Sequence, residues 1–164
     1  MASWAHRTIL AGLLLTAYLV AWTPARTTWT RAAAGALEAV ASTETTVSPR
    51  LRAHVVRVQP EAGSAFSYTA PAGVKFLLPG LFLVLIAPTR PLLGAFFAGH
   101  LALGGLTLGL ATAAFAGLPG GLGLADFVQS YGVDAFSLAV PVFILARRSR
   151  TFQAREQPYT PSTL

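Results

Sequence analysis

The stretch FFAGHLALGGLTLGLATAAFAG, Phe96 to Gly117, holds one titratable residue, His100, and no Asp, Glu, Lys or Arg. With the residues from Leu92 it is long enough, at about 1.5 Å per helical residue, to cross a hydrocarbon core of about 30 Å. In lipid the backbone must satisfy its own polar groups, so such a run is a helix. The whole chain follows suit: 54% of its 164 residues are hydrophobic and 11% charged, where a soluble domain has about 25% charged residues. The sequence therefore predicts an all-α membrane protein with membrane lipid as a partner. It contains no cysteine, which excludes disulfides, thiolate nucleophiles and Cys-ligated metals. The net charge of +6 does not point to nucleic acid, because the arginines flank apolar runs instead of forming a stripe with aromatics.

Four transmembrane segments are expected. The first, residues 4–22, ends in TILAGLLLTAYLVAW; Trp22, Thr23 and Pro24 make a poor cleavage region, so it reads as an uncleaved anchor, with a cleaved signal as the alternative. The second, residues 73–87, contains Pro79. A PTRP turn leads into the third, residues 91–117, and the fourth covers 124–146. RRSR directly after the fourth is the strongest topological signal, and it predicts a multi-pass cell-membrane protein with both termini cytoplasmic. Residues 147–164 read as a basic, disordered tail.

Residues 23–72 then lie outside the membrane as a small α/β loop. Thr23 is a candidate N-cap with Pro24 at the first helical position. RLRAHVVRVQ (50–59) and AFSYT (65–69) read as strands around a PEAGS turn, with ETTV as a third. So small a sheet cannot hold a core alone and is expected to lean on the membrane face or on a partner.

Three groups of residues are candidates for function. His100 and Asp134 fall at comparable depths in the third and fourth helices, where they form a candidate polar pair. Its readings are structural pairing, partner contact, or proton chemistry; two groups are too few for a metal site. Gly105, Gly109, Ala113 and Gly117 recur every four residues, a pattern that lets helix backbones approach closely. Whether the packed helix is the chain's own or another protein's stays open at this point. Arg50, Arg52 and His54 share one strand face by the period of two, as a charged edge or as a contact for lipid headgroups or an acidic partner. No Ser–His–Asp order, phosphate-cradling loop or paired carboxylates is present, so no catalytic, cofactor or metal residues are expected.

The order of parts resembles the C-terminal half of the exosortase/archaeosortase family of membrane transpeptidases, over roughly residues 24–148. In that family an external segment enters a transmembrane helix through a motif of the form A-C-S-G-hydrophobic-R. Here the matching stretch is APAGVKF: Ala70, Gly73 and Val74 fit, Lys75 stands at the basic position, and Pro71 and Ala72 replace Cys-Ser. GHLALGGLTLGL offers no counterpart to the family's arginine, and GVDAFSLAVPVF keeps Asp134 but has Val133 where a histidine precedes it. The resemblance implies a non-enzyme, similar to the small membrane proteins that accompany exosortases.

The expected function is thus a non-catalytic accessory or assembly subunit, partnered by another integral membrane protein, itself exosortase-like if the resemblance holds. The alternative is a small transport or proton-conducting subunit that uses His100 and Asp134.

Overall fold

The computed structural model describes residues 4–60, 64–87 and 89–156, less the side chains at 90 and 148–156. Helix α1 (Trp4–Ala17), a π turn (Tyr18–Trp22) and α2 (Thr23–Glu38) form one unbroken rod of 35 residues. The sequence predicts a break at Trp22 with Thr23 capping a new helix; instead Trp22 is helical (φ −80°, ψ −36°). The reason lies in Pro24, which has no N–H to give to the preceding turn. The rod absorbs the missing donor by widening. The Thr23 N–H reaches the Tyr18 carbonyl five residues back, and the Thr23 hydroxyl donates to the same oxygen at 3.2 Å.

Three further helical stretches follow: α3 (Val74–Ile86), α4 (Arg90–Phe115), and α5 (Gly121–Phe127) joined by a second π turn (Val128–Gly132) to α6 (Val133–Glu156). Trp4–Glu38, Pro91–Phe115 and Gly121–Arg147 are long and apolar enough to cross a membrane. Their surfaces agree: Val20 is 71% and Phe143 66% exposed, large apolar side chains of the kind a lipid-facing surface carries. The expected second span is the exception. α3 is apolar but has 13 residues, about 20 Å of helix against a core of about 30 Å, and it packs against α1, α4 and α6.

Two element ends also differ from expectation. α4 stops at Phe115 because Gly117 takes φ 107° and closes a Schellman motif, Leu118 N–H to Ala113 O at 2.9 Å and Gly117 N–H to Ala114 O at 3.0 Å. α6 continues to Glu156, so residues 147–156 of the expected disordered tail are helical, and 157–164 lie outside the described residues. Pro88 of the PTRP turn lies outside them too.

Strands β1 (Thr46–Arg50), β2 (Val55–Gln59) and β3 (Phe66–Thr69) form an antiparallel sheet in that order. The run 50–59 is therefore not one strand. It turns at residues 51–54, where His54 takes φ 54°, and residues 61–63 of the PEAGS turn lie outside the described set. Pro49 sits in β1, an edge strand, where its missing N–H is tolerated. On the inner face Val56, Val58, Phe66 and Tyr68 are buried against Ala33, Ala34 and Leu37 of α2, Ala111 of α4 and Ala125 of α5. The sheet thus leans on its own chain's helices, which removes the expected need for a membrane or partner surface. Each large apolar side chain so buried contributes about 1.5–3 kcal/mol.

Candidate functional site

A cavity of about 350 Å³ opens where the sheet meets the helices. Its floor is the segment 70–73 between β3 and α3 together with Val74 and Lys75, the first two residues of α3. Its walls are Arg26 of α2, His100, Gly104 and Thr107 of α4, and Gln129 and Ser130 of the second π turn. The segment is pinned from three sides. Trp22 Nε1 donates to Ala72 O at 3.0 Å. Gly104 lies so close to Pro71 that a Cβ there would stand 2.5 Å from the proline's. The Gln129 amide pairs with the open edge of β3, accepting from Thr69 N–H at 2.8 Å and donating to Ser67 O at 2.7 Å. Ala72 adopts φ 50° on the way into α3.

Arg26 is the residue that sequence reasoning missed; it reads there only as flanking charge. It is 8% exposed and donates through Nη2 to Ala70 O at 3.0 Å, while its Nε is buried without a partner. Lys75 pairs with Asp134, and among the described residues no carboxylate pairs with the Arg26 guanidinium. The signal is the unbroken rod: Arg26, Thr30, Ala33, Ala34 and Leu37 make one buried helical stripe once α1 is continued through Pro24.

His100 lies 2% exposed in an aromatic box, edge-on to Phe76, Phe96 and Phe136 with ring centroids 5.5, 4.9 and 5.4 Å away. Its Nε2 is 3.3 Å from Ser137 Oγ, and Ser137 Oγ donates to Val133 O at 2.6 Å. A carbonyl only accepts, so the serine's proton is committed there and the imidazole Nε2–H is the donor to Ser137. A serine nucleophile needs the reverse polarity. Asp134 goes elsewhere: it lies 2.7 Å from Lys75 Nζ, each side chain about half exposed (51% and 52%). The expected His100–Asp134 pair is replaced by these two separate contacts.

The glycines divide in two. Gly99 faces the Phe136 ring, Gly104 meets Pro71, and in Gly121 a Cβ would stand 2.8 Å from Ala114 Cβ; these are the close approaches within the chain. Gly105 and Gly109 are exposed with nothing near a Cβ, Ala113 is half-buried, and Gly117 lies beyond the helix end. Arg50 ends β1, and Arg52 and His54 sit in the turn, so the three share no strand face. Arg50 and Arg52 are exposed. His54 is half-buried, and burial, then the charge of Arg26, holds its imidazole below the ordinary histidine value. Burial pushes the Tyr68 phenol up to about 12 against the opposing effects of the Trp29 hydrogen bond and Arg26.

Pro71, Ala72 and Lys75 of the stretch APAGVKF line this cavity. Comparison with protein families, curated proteins and solved structures finds no match to the chain. Among the described residues no three His, Cys, Asp or Glu side chains converge on a metal position.

Proposed function

We propose that this protein is a non-catalytic accessory subunit of a larger membrane complex, crossing the cell membrane four times with both termini cytoplasmic and α3 as a short central span. The observation that carries the reading is the division of the glycines. Gly99, Gly104 and Gly121 are sealed by the chain itself, whereas Gly105 and Gly109 of α4 face outward with nothing against them. An outward pair at a spacing of four lets another helix approach closely, which is what favours association in lipid. The exposed Arg50 and Arg52 at the hairpin turn supply a second, polar contact outside the membrane. The absence of chemistry rests on the polarity of the His100–Ser137 contact and on proline at the nucleophile position of the resembled motif. That the complex is an exosortase-type sorting system rests on the resemblance alone.

A proton-conducting role draws no support from Asp134, which is tied to Lys75 at an exposed position. The test is site-specific photo-cross-linking in native membranes from positions 105 and 109, with the exposed position 143 as control. One integral partner captured in stoichiometric yield from α4 and not from the control supports the accessory role. A protein that cross-links to nothing, or only to itself, overturns it.

A further inference from the structure

We propose that the cavity beneath the sheet binds the phosphate of a phospholipid headgroup, with the Arg26 guanidinium as its anchor. The first argument is electrostatic. An arginine only 8% exposed is costly unless an anion or a full set of acceptors compensates its charge. Arg26 donates to the Ala70 carbonyl, a neutral acceptor, and has an Nε with no partner. It lines the cavity, so an anion seated there has direct access to it.

The second argument is the company Arg26 keeps. A Cβ at Gly73 would stand 3.0 Å from Arg26 Nη2, which places the guanidinium against the first turn of α3. α3 has 13 residues and no side-chain cap, and its N-cap Gly73 and first residues Val74 and Lys75 line the cavity, so its positive end lies at the same space. A cation at a helix N-terminus is a repulsive arrangement. A phosphate between the two reverses the sign of both interactions, with bidentate guanidinium bonds on one side and backbone N–H bonds on the other. Ser130 adds a hydroxyl on the facing wall.

The third argument identifies the source of the phosphate. Lys75, which lines the cavity, and its partner Asp134 are each half exposed, as a charged pair at the water-facing level of a membrane protein would be. Val74 lines the cavity and is 65% exposed, and Leu78, one turn further along the same face of α3, is 62% exposed. Phe127 and Tyr131 form an exposed aromatic pair at the π turn, with centroids 5.4 Å apart, as residues at a membrane interface do. A headgroup seated at Arg26 therefore has an apolar, lipid-facing track for its acyl chains along Val74 and Leu78.

The test uses the full chain purified in detergent and native mass spectrometry, with four probes: phosphatidylglycerol, diacylglycerol of the same chains, inorganic phosphate, and an acetylated pentapeptide with a free C-terminal carboxylate. The wild type is expected to retain one phosphatidylglycerol under conditions that strip diacylglycerol. R26Q should weaken this at least tenfold, and G73A, whose methyl crowds Nη2, several-fold. If R26Q does not fold, R26K and G73A carry the comparison. Equal retention by wild type and the folded variants overturns the proposal. So does binding of inorganic phosphate without lipid, or tighter binding of the peptide carboxylate. Lipid retention and cross-linking from α4 are separate readouts, so this site and the accessory role fail independently.

Discussion

Trp29 Nε1 donates to the Tyr68 hydroxyl at 2.7 Å, and that hydroxyl donates in turn to Gly104 O at 3.3 Å, so one phenol ties α2, the sheet and α4 together. Tyr68 is fully buried. Y68F would leave the Trp29 N–H without its acceptor, at a cost of about 1–3 kcal/mol. Thermal unfolding in detergent should show the loss. The same residue gives a pH signature. An unfolded tyrosine ionises near pH 10, whereas this phenol is held up at about 12. Its contribution is intact below pH 10 and is lost as pH rises from there through 12. Y68F should flatten that alkaline limb.

At Gly99 an added methyl would run into the ring of Phe136, a neighbour of His100 in the aromatic box. G99A should destabilise the protein by about 1–3 kcal/mol through overpacking. The rescue is specific: in G99A/F136L the smaller side chain makes room, and the double variant should be more stable than the sum of the single effects. Strict additivity in that cycle would remove the close approach of α4 and α6 at this point.

His100→Leu and Asp134→Asn separate the two contacts that replace the expected pair. Losing the single hydrogen bond between His100 and Ser137 costs about 0.5–1.5 kcal/mol. Losing the half-exposed Lys75–Asp134 pair costs at most about 1 kcal/mol, less at high salt. The double variant should be additive in unfolding experiments. A coupling above about 1 kcal/mol would mean that the two residues meet after all.

The apolar segments were legible because a membrane-crossing helix needs only length and the absence of charge. What sequence did not give was the side-to-side placement of polar groups. Asp134 and His100 share a depth, but depth says nothing about azimuth, and Lys75 at the start of α3 is the residue the aspartate faces. Arg26 was hidden by Pro24. A proline normally starts a helix or breaks one, and the π turn at Tyr18–Trp22 that avoids both leaves no mark in composition. The glycine pattern left open which helix its face packs on; within the chain the close approach is made by Gly104, one residue off the stripe.

Burial and the nearby Arg26 charge hold the His54 imidazole below its ordinary value, so the folded state prefers it neutral. An unfolded histidine takes up its proton near pH 6.5. His54 therefore adds nothing adverse above that pH, and stability falls as pH drops below it. H54N tolerates the left-handed backbone at φ 54° and carries no titrating ring. In urea unfolding between pH 5 and 7.5 it should lose part of the acid dependence seen in the wild type.

Gln129 supplies the last prediction, because its amide acts as a one-residue strand on the edge of β3. It accepts from Thr69 N–H at 2.8 Å and donates to Ser67 O at 2.7 Å, which leaves that edge closed to another chain. The widened turn at Val128–Gly132 carries the amide that reaches across. Q129A removes both bonds, for about 1–2 kcal/mol in a partly exposed setting. It also bares the Thr69 N–H, so hydrogen exchange at Thr69 should accelerate while Val56 and Val58, interior to the sheet, stay protected. Uniform acceleration across all three strands would instead mean that the sheet depends on Gln129 to fold and that its packing on α2 is not enough to hold it.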